Sequence, residues 1–391
     1  MRATLFIIAL LISFALFGQT SVQRILSSIE ENNTTLHTFK KEATAEKLGN
    51  KTGIYLSNPD VEFNYLWSSP TNLEKRNDLS IKQTFDIATI TGMKSRMANN
   101  KNELVDLQYK SNRMTILLEA KQYCIDLIYY NSLMKELEIR LKHSQTIADG
   151  YKQRMKQGDV NVLEYNKIQL NLSTIQGEIA RVEIERNSIL SELKRLNGGI
   201  DVMLTDTTYE GTLLPNNFEE WYSYAEQKNP LLQYVRQQIE TSKYEVKLNK
   251  AMGLPKFSAG YMSERTRQVN SQGLSVGISI PLWENKNRVK QAKANVIAAE
   301  ARRDENKQQF YNKLRTLYMR ASGLQETALA YRKSLATLNS TELLMKALKV
   351  GEISLLNYII EIGLYYNTVN QALTSERDYQ RALAELSAVE L

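Results

Sequence analysis

Proline is almost missing from this chain. Six prolines in 391 residues, at positions 59, 70, 215, 230, 255 and 281, all fall outside the two longest candidate helices. A proline inside a helix costs roughly 3 kcal/mol, so this placement leaves room for unusually long helices. Cysteine is reduced to Cys124, which excludes an intramolecular disulfide and suits a small apolar packing residue on a helix. The two histidines, His37 and His143, lie far apart with no ligand spacing around them, so no metal site is expected and both read as surface residues. No phosphate-binding glycine loop or nucleophile elbow occurs either; catalytic residues, cofactors and an enzyme function are all unexpected. The net charge of +7 is spread along the chain and does not gather in a basic patch, which argues against nucleic acid as a partner.

A long hydrophobic run is lacking too. Arg2 followed by Leu5 to Phe17 is the main apolar stretch; at roughly 13 residues it is short for a bilayer-spanning helix of about 20. It reads as a signal peptide over residues 1–19, cleaved near Gly18 or Gln19, with an uncleaved anchor as the other reading. No cysteine stands near the cleavage point to carry a lipid, so the mature chain is expected to be exported unlipidated.

What the chain has is helical periodicity. Phe310, Leu314, Leu317, Ala321, Leu324, Ala328, Tyr331, Leu335 and Leu338 recur at alternating steps of four and three, a coiled-coil seam. The surrounding stretch, from about Lys286 to Lys349, contains one interior glycine, Gly323, and predicts a helix roughly 95 Å long. A second such stretch runs from Met93 to Lys156 after Gly92. It stops at Gly158, and Asn161 with Glu164 three residues on predicts a capped restart. The returning helix carries Ile168, Leu172, Ile175, Ile179, Val182, Ile189, Leu193 and Leu196, interrupted only by Arg186, and ends at Asn197-Gly198-Gly199. Further helices are expected over Val22 to Asn50, Phe218 to Lys228 and Pro230 to Met252, the last with proline at its first position. The closing helix follows Gly351 and a cap at Ser354 and runs to about Val389.

Period two replaces period 3.6 in four places: Asp60 to Trp67, Leu79 to Asp86, Phe257 to Glu264 and Leu274 to Leu282. These read as two hairpins, the first linked through Ser68 to Arg76. Glu62, Asn64, Ser80, Lys82, Ser258, Ser275 and Ser279 are expected on a polar face. Tyr65, Trp67, Tyr261 and Trp283 suit an aromatic girdle.

The plan is duplicated. Gly158 and Gly351 differ by 193 positions, as do Asn161 and Ser354, Leu163 and Leu356, and Tyr165 and Tyr358; Asn33 and Asn229, and Pro59 and Pro255, differ by 196. Residues 20–200 form the first repeat, 201–216 an equatorial linker and 217–391 the second repeat, the two expected to make one continuous domain. The first-repeat counterpart of the long seam looks much poorer, with Lys121, Asn131 and Lys135 at the positions of Leu314, Leu324 and Ala328, so the halves are expected to pack unequally. The fold class is mainly α with a small β part.

Four strands cannot close a membrane barrel, for which about eight is the minimum, whereas three chains would supply twelve. A small soluble sheet capping a coiled coil would explain the alternation equally. It would not explain the secretion signal.

This order of elements resembles the TolC-like outer-membrane efflux protein family over nearly all of the mature chain. The resemblance rests on Asn229-Pro230-Leu231 opening a helix that ends near Pro255, on both hairpins, and on the tips Gly158-x-x-Asn161-x-x-Glu164 and Gly351-x-x-Ser354-x-x-Asn357. It implies a homotrimer with a 12-stranded barrel in outer-membrane lipid and a 12-helix tunnel across the periplasm. It also implies a periplasmic adaptor (membrane fusion) protein and an inner-membrane pump as partners, in efflux or type I secretion. Gly158, Asp159, Val160, Asn161, Gly351, Glu352, Ile353 and Ser354 would then be the adaptor-contact tips. Members of the family often carry acidic rings one and two turns into the helix after the second tip. Asn357 and Ile360 stand there instead, with Glu361 adjacent but rotated about 100°, so a constriction here would close by packing and select weakly for cation charge. The alternatives are a periplasmic coiled-coil spacer, or the adaptor itself, which would carry one hairpin and no duplication. The cargo, whether drug, metal ion or protein, is not written in the sequence.

Overall fold

The computed structural model describes residues 20–67, 75–210, 213–283, 285–338 and 340–391. The expected signal peptide and most of the first hairpin link, including Pro70, lie outside the described residues. In order, the chain forms α1 (Ser21–Asn32), α2 (Thr34–Asn50), β1 (Asp60–Leu66), β2 (Arg76–Phe85), α3 (Ile87–Ile90), α4 (Met93–Gln157), α5 (Val162–Leu196), α6 (Phe218–Lys228), α7 (Pro230–Met252), β3 (Lys256–Arg265), β4 (Asn270–Ser279), α8 (Arg288–Thr337), α9 (Thr341–Val350) and α10 (Leu355–Leu386), with a last 3₁₀ turn at Ala388–Glu390. The described residues fall into two compact units, one within 1–37, 112–225 and 311–391, the other within 38–111 and 226–310. Each takes segments from both repeats.

Two expected helices are broken. The stretch from Val22 to Asn50 divides at Asn33, which is buried. Asn33 Oδ1 accepts the Leu36 N–H at 2.8 Å, capping α2, while its Nδ2 donates to the Leu196 carbonyl at 2.7 Å. Asn229 stands at the equivalent place between α6 and α7 and accepts the Leu232 N–H at 3.0 Å. The helix expected from Lys286 to Lys349 ends at Thr337 and restarts at Thr341. Residues 334–341 are crowded with Ser, Thr and Asn, whose side chains compete for backbone groups: Thr337 Oγ1 donates to the carbonyls of Lys333 (2.9 Å) and Ser334 (3.2 Å). Leu338, the last residue of the seam, lies past the helix end and is exposed. The longest unbroken helix is therefore α4, of 65 residues.

In the unit holding the strands, β1-β2-β3-β4 form one antiparallel sheet, the hairpins joined by β2 and β3. β4 begins four residues before the expected Leu274 and stops at Ser279, leaving Ile280 and Leu282 outside. Pro281 has no N–H for a ladder, while Asn270 to Gly273 are drawn into the strand by pairing with Met262 to Arg265. Asp86, expected on β2, instead caps α3: its carboxylate accepts the Thr89 N–H at 2.6 Å and pairs with Lys94 at 2.8 Å. These bonds hold its pKa low even though burial pushes it up.

In the helical unit, α1 turns Ile25, Leu26 and Ile29 inward and is held to the end of α5. Asn197 Oδ1 accepts from Ser28 Oγ at 2.9 Å, and Gly198 has a positive φ of 65° with so close an approach that a Cβ there would meet the Asn32 carbonyl oxygen at 2.3 Å. Leu133 and Leu137 of α4, Val182 of α5, and Val369 and Leu373 of α10 make one core cluster. Cys124 is fully buried, as expected, and burial pushes its thiol up to about 12. The tyrosine pairs pack edge to face, Tyr129 against Tyr130 at 5.0 Å and Tyr365 against Tyr366 at 5.9 Å.

Candidate functional site

The two tips have the same construction. Gly158 and Gly351 both take the left-handed conformation, with φ of 81° and 79°. At the first tip the Gly158 N–H donates to the Met155 carbonyl (3.1 Å) and that of Asp159 to Arg154 (3.0 Å); at the second, Gly351 donates to Leu348 (3.3 Å) and Glu352 to Ala347 (2.9 Å). These are the paired bonds of a Schellman end, and only glycine reaches that φ without strain. Each return helix is then capped: Asn161 Oδ1 accepts the Glu164 N–H at 3.0 Å, and Ser354 Oγ accepts the Asn357 N–H at 3.2 Å.

Behind the turns, Ala148, Tyr151, Val160, Ile168, Leu348, Leu355, Tyr358 and Ile362 form one buried cluster that joins the tips. Burial pushes the Tyr358 phenol up to about 12. Val160 is only 8 % exposed and spends its side chain on this packing, and Ile353 is half-buried against the same cluster. Gly158, Asp159, Asn161, Gly351, Glu352 and Ser354 remain exposed. Two residues paired by the repeat but not singled out as contacts, Leu163 and Leu356, are 66 % and 50 % exposed. An apolar side chain two residues after a helix cap, outside the buried stripe, is the signal that marks them. Asn357, Ile360 and Glu361 all lie on the exposed side of α10. His143, expected at the surface, is half-buried, with Nδ1 3.3 Å from the Tyr366 hydroxyl.

The register of the sheet separates its faces. Val61, Ile81, Tyr261 and Leu274 form one transverse row, and Phe85, Phe257 and Ile278 another, so with Phe63, Leu79 and Val276 they share an apolar face. Leu274 and Val276 are 86 % exposed on it. Glu62, Asn64, Ser80, Lys82, Ser258, Ser275 and Ser279 all fall on the opposite face, as the alternation implies. On β4 that face consists of Ser271, Gly273, Ser275, Gly277 and Ser279 alone. The four girdle candidates do not share a level. Tyr65 and Trp67 stand at the hairpin end of β1 with rings 6.2 Å apart, Tyr261 lies four residues along the sheet from the Tyr65 row, and Trp283 follows β4 at the other end.

Among the described residues no helix is long and apolar enough to cross a membrane. No described cluster of His, Cys, Asp and Glu could hold a metal ion. An exposed apolar sheet face in one unit and duplicated helical tips in the other are the combination to be matched, and the family model of outer membrane efflux proteins matches residues 221–389. Over this stretch the chain resembles the outer membrane efflux protein family. Its fold is that of the solved TolC-like channels. It superposes on a membrane protein from Pseudomonas aeruginosa with a TM-score of 0.77, at 14 % identity, covering 95 % of this chain and 92 % of the other. The outer membrane channel CmeC of Campylobacter jejuni matches with a TM-score of 0.70, at 13 % identity, over 96 % and 86 % of the two chains. In sequence, the alkaline protease secretion protein AprF of Pseudomonas aeruginosa is 21 % identical over 310 residues, which span 72 % of this chain and 63 % of AprF.

Proposed function

We propose that three copies of this chain form an exit duct in the outer membrane, passing cargo from an inner-membrane pump and a periplasmic adaptor to the exterior. The observation that carries this reading is the four-stranded sheet. One face is apolar and exposed, the other polar, and β1 and β4 each have an unpaired edge among the described residues. Such a sheet is unstable alone in water. Three copies joined edge to edge would make twelve strands, with lipid on the apolar side and water on the polar side. Channels of this family trimerise.

Tyr65 and Trp67 at one end and Trp283 at the other serve as interfacial anchors in this arrangement. The exposed tip residues Gly158, Asp159, Asn161, Gly351, Glu352 and Ser354, flanked by Leu163 and Leu356, are the adaptor-facing surface, with Val160 and Ile353 supporting it from beneath. Asn357 and Ile360 narrow the periplasmic entrance, with Glu361 at the wall, so closure there depends on packing and carries little charge selection. The cargo is a small molecule, as the family's efflux role suggests, or a protein, as the name of AprF suggests.

Membrane fractionation and sizing in detergent test the duct: a mature protein that stays soluble and monomeric without detergent overturns it. For the tips, Gly351→Arg and Ser354→Arg are expected to impair export while trimers persist. Normal export by both variants would remove the tips from the docking surface.

A further inference from the structure

Arg140 of α4 is 4 % exposed. Its Nη2 donates to the Tyr366 carbonyl at 3.3 Å and to Asn370 Oδ1 at 2.8 Å, both on α10, and the guanidinium lies 4.4 Å from the centroid of the Tyr366 ring. Its Nε–H has no hydrogen-bond partner. Among the described residues no carboxylate comes within ion-pair distance of Arg140; Glu136 and Glu178 act on it only at longer range, and burial pulls its pKa down. A cation removed from water without a paired anion costs several kcal/mol. The ring and the neutral oxygens offset only part of this.

Beside the guanidinium a half-open cavity of about 30 Å³ lies between α4, α5 and α10 of the helical unit. One water needs only ~10–15 Å³. The polar part of its wall is Arg140, His143, Ser144, Asn171, Tyr358 and Tyr366, and isoleucines supply much of the rest. Ser144 Oγ donates to Asn171 Oδ1 at 3.2 Å, which leaves the Asn171 NH₂ as a donor, and His143 Nδ1 lies opposite the Tyr366 hydroxyl. No Asp or Glu lines the cavity. Besides the tyrosine hydroxyls, which can donate as well as accept, the groups left over are N–H donors beside a permanent positive charge. A water there would leave that charge uncompensated.

We propose that this cavity is an anion site that holds one small inorganic monoanion of the halide class, bound by the Arg140 guanidinium and the Asn171 amide, and so ties α4, α5 and α10 together behind the tips. The site is built from one chain and does not depend on the channel reading.

The test uses the full-length protein in detergent. Crystals grown with bromide replacing chloride are expected to show an anomalous peak within hydrogen-bond distance of the Arg140 guanidinium. At constant ionic strength, chloride in place of gluconate is expected to raise Tm by about 2–4 °C, and Arg140→Gln to abolish the difference. A solvent peak with no anomalous signal is a water and overturns the proposal. So does a chloride effect of equal size in wild type and variant. If Arg140→Gln does not fold, Asn171→Leu keeps the cation and removes the second donor: bromide occupancy and the chloride shift should both fall, and an undiminished shift overturns the site.

Discussion

Helices α4 and α8 hold equivalent places in the duplicated plan, yet they are satisfied by different surroundings. Within the helical unit, α4 buries Ile116, Leu117, Ala120, Cys124, Ile125, Leu127, Ile128, Leu133 and Leu137, whereas α8 buries Leu314, Leu317, Ala321 and Ala328 and leaves Met319 and Leu329 exposed. The helix with the regular seam is the less covered by its own chain. The one with interrupted periodicity is the more covered. The interruptions explain this. Asn131 donates to the carbonyls of Leu204 (2.9 Å) and Asp206 (3.1 Å) and accepts from Arg186 Nε at 2.9 Å, so the polar break on α4 and the polar break on α5 meet each other and hold the linker. A seam of small and medium apolar residues, by contrast, is suited to a neighbour with the same pattern.

The contrast breaks most sharply at the core. Leu137→Ala, at a fully buried position, is expected to lower unfolding stability by about 2–5 kcal/mol, while Leu329→Ala, at a position 63 % exposed in the chain, should leave the intrachain fold nearly unchanged and lower the ratio of trimer to monomer in detergent. Equal loss of fold stability from the two, by chemical denaturation, would erase the distinction. Next in size is Asn131→Leu. It strands two carbonyls and a guanidinium, and a loss of about 2–3 kcal/mol is expected, with faster proteolysis of the 201–210 linker as the second readout. Smaller still are Gly158→Ala and Gly351→Ala. No atom lies within 4 Å of either new Cβ, so each should cost only the left-handed backbone penalty of about 1–2 kcal/mol. Unequal losses would show that the tips, alike in geometry, differ in load.

What could be read from the sequence follows from the range of the interactions. The tips are legible because a left-handed glycine and a side-chain cap three residues later are made by neighbours in the chain. The faces of the sheet are legible because period two is local. The break at Asn33 is hidden inside a helical pattern, since what stabilises it is the carbonyl of Leu196, 163 residues away; its repeat partner Asn229, followed by proline, is the hint. The start of β4 is hidden for the same reason: Asn270, Ser271 and Gln272 carry no strand pattern and are held by β3. The cluster behind the tips shows why Val160 and Ile353 look like contact residues in the sequence. Turn position is visible there, and inward rotation is not.

The unpaired edges of β1 and β4 have a consequence in time. Helices close their hydrogen bonds within themselves, so a single newly exported chain can complete most of them at any dilution. On the trimer reading the outermost strands cannot finish until other chains arrive, and that makes the last stage of maturation dependent on protein concentration. On the trimer reading, a refolding experiment that follows helix and sheet signals separately should find the first independent of dilution and the second slowed by it. The interval between the two is when this protein is most exposed to pairing with the wrong strand.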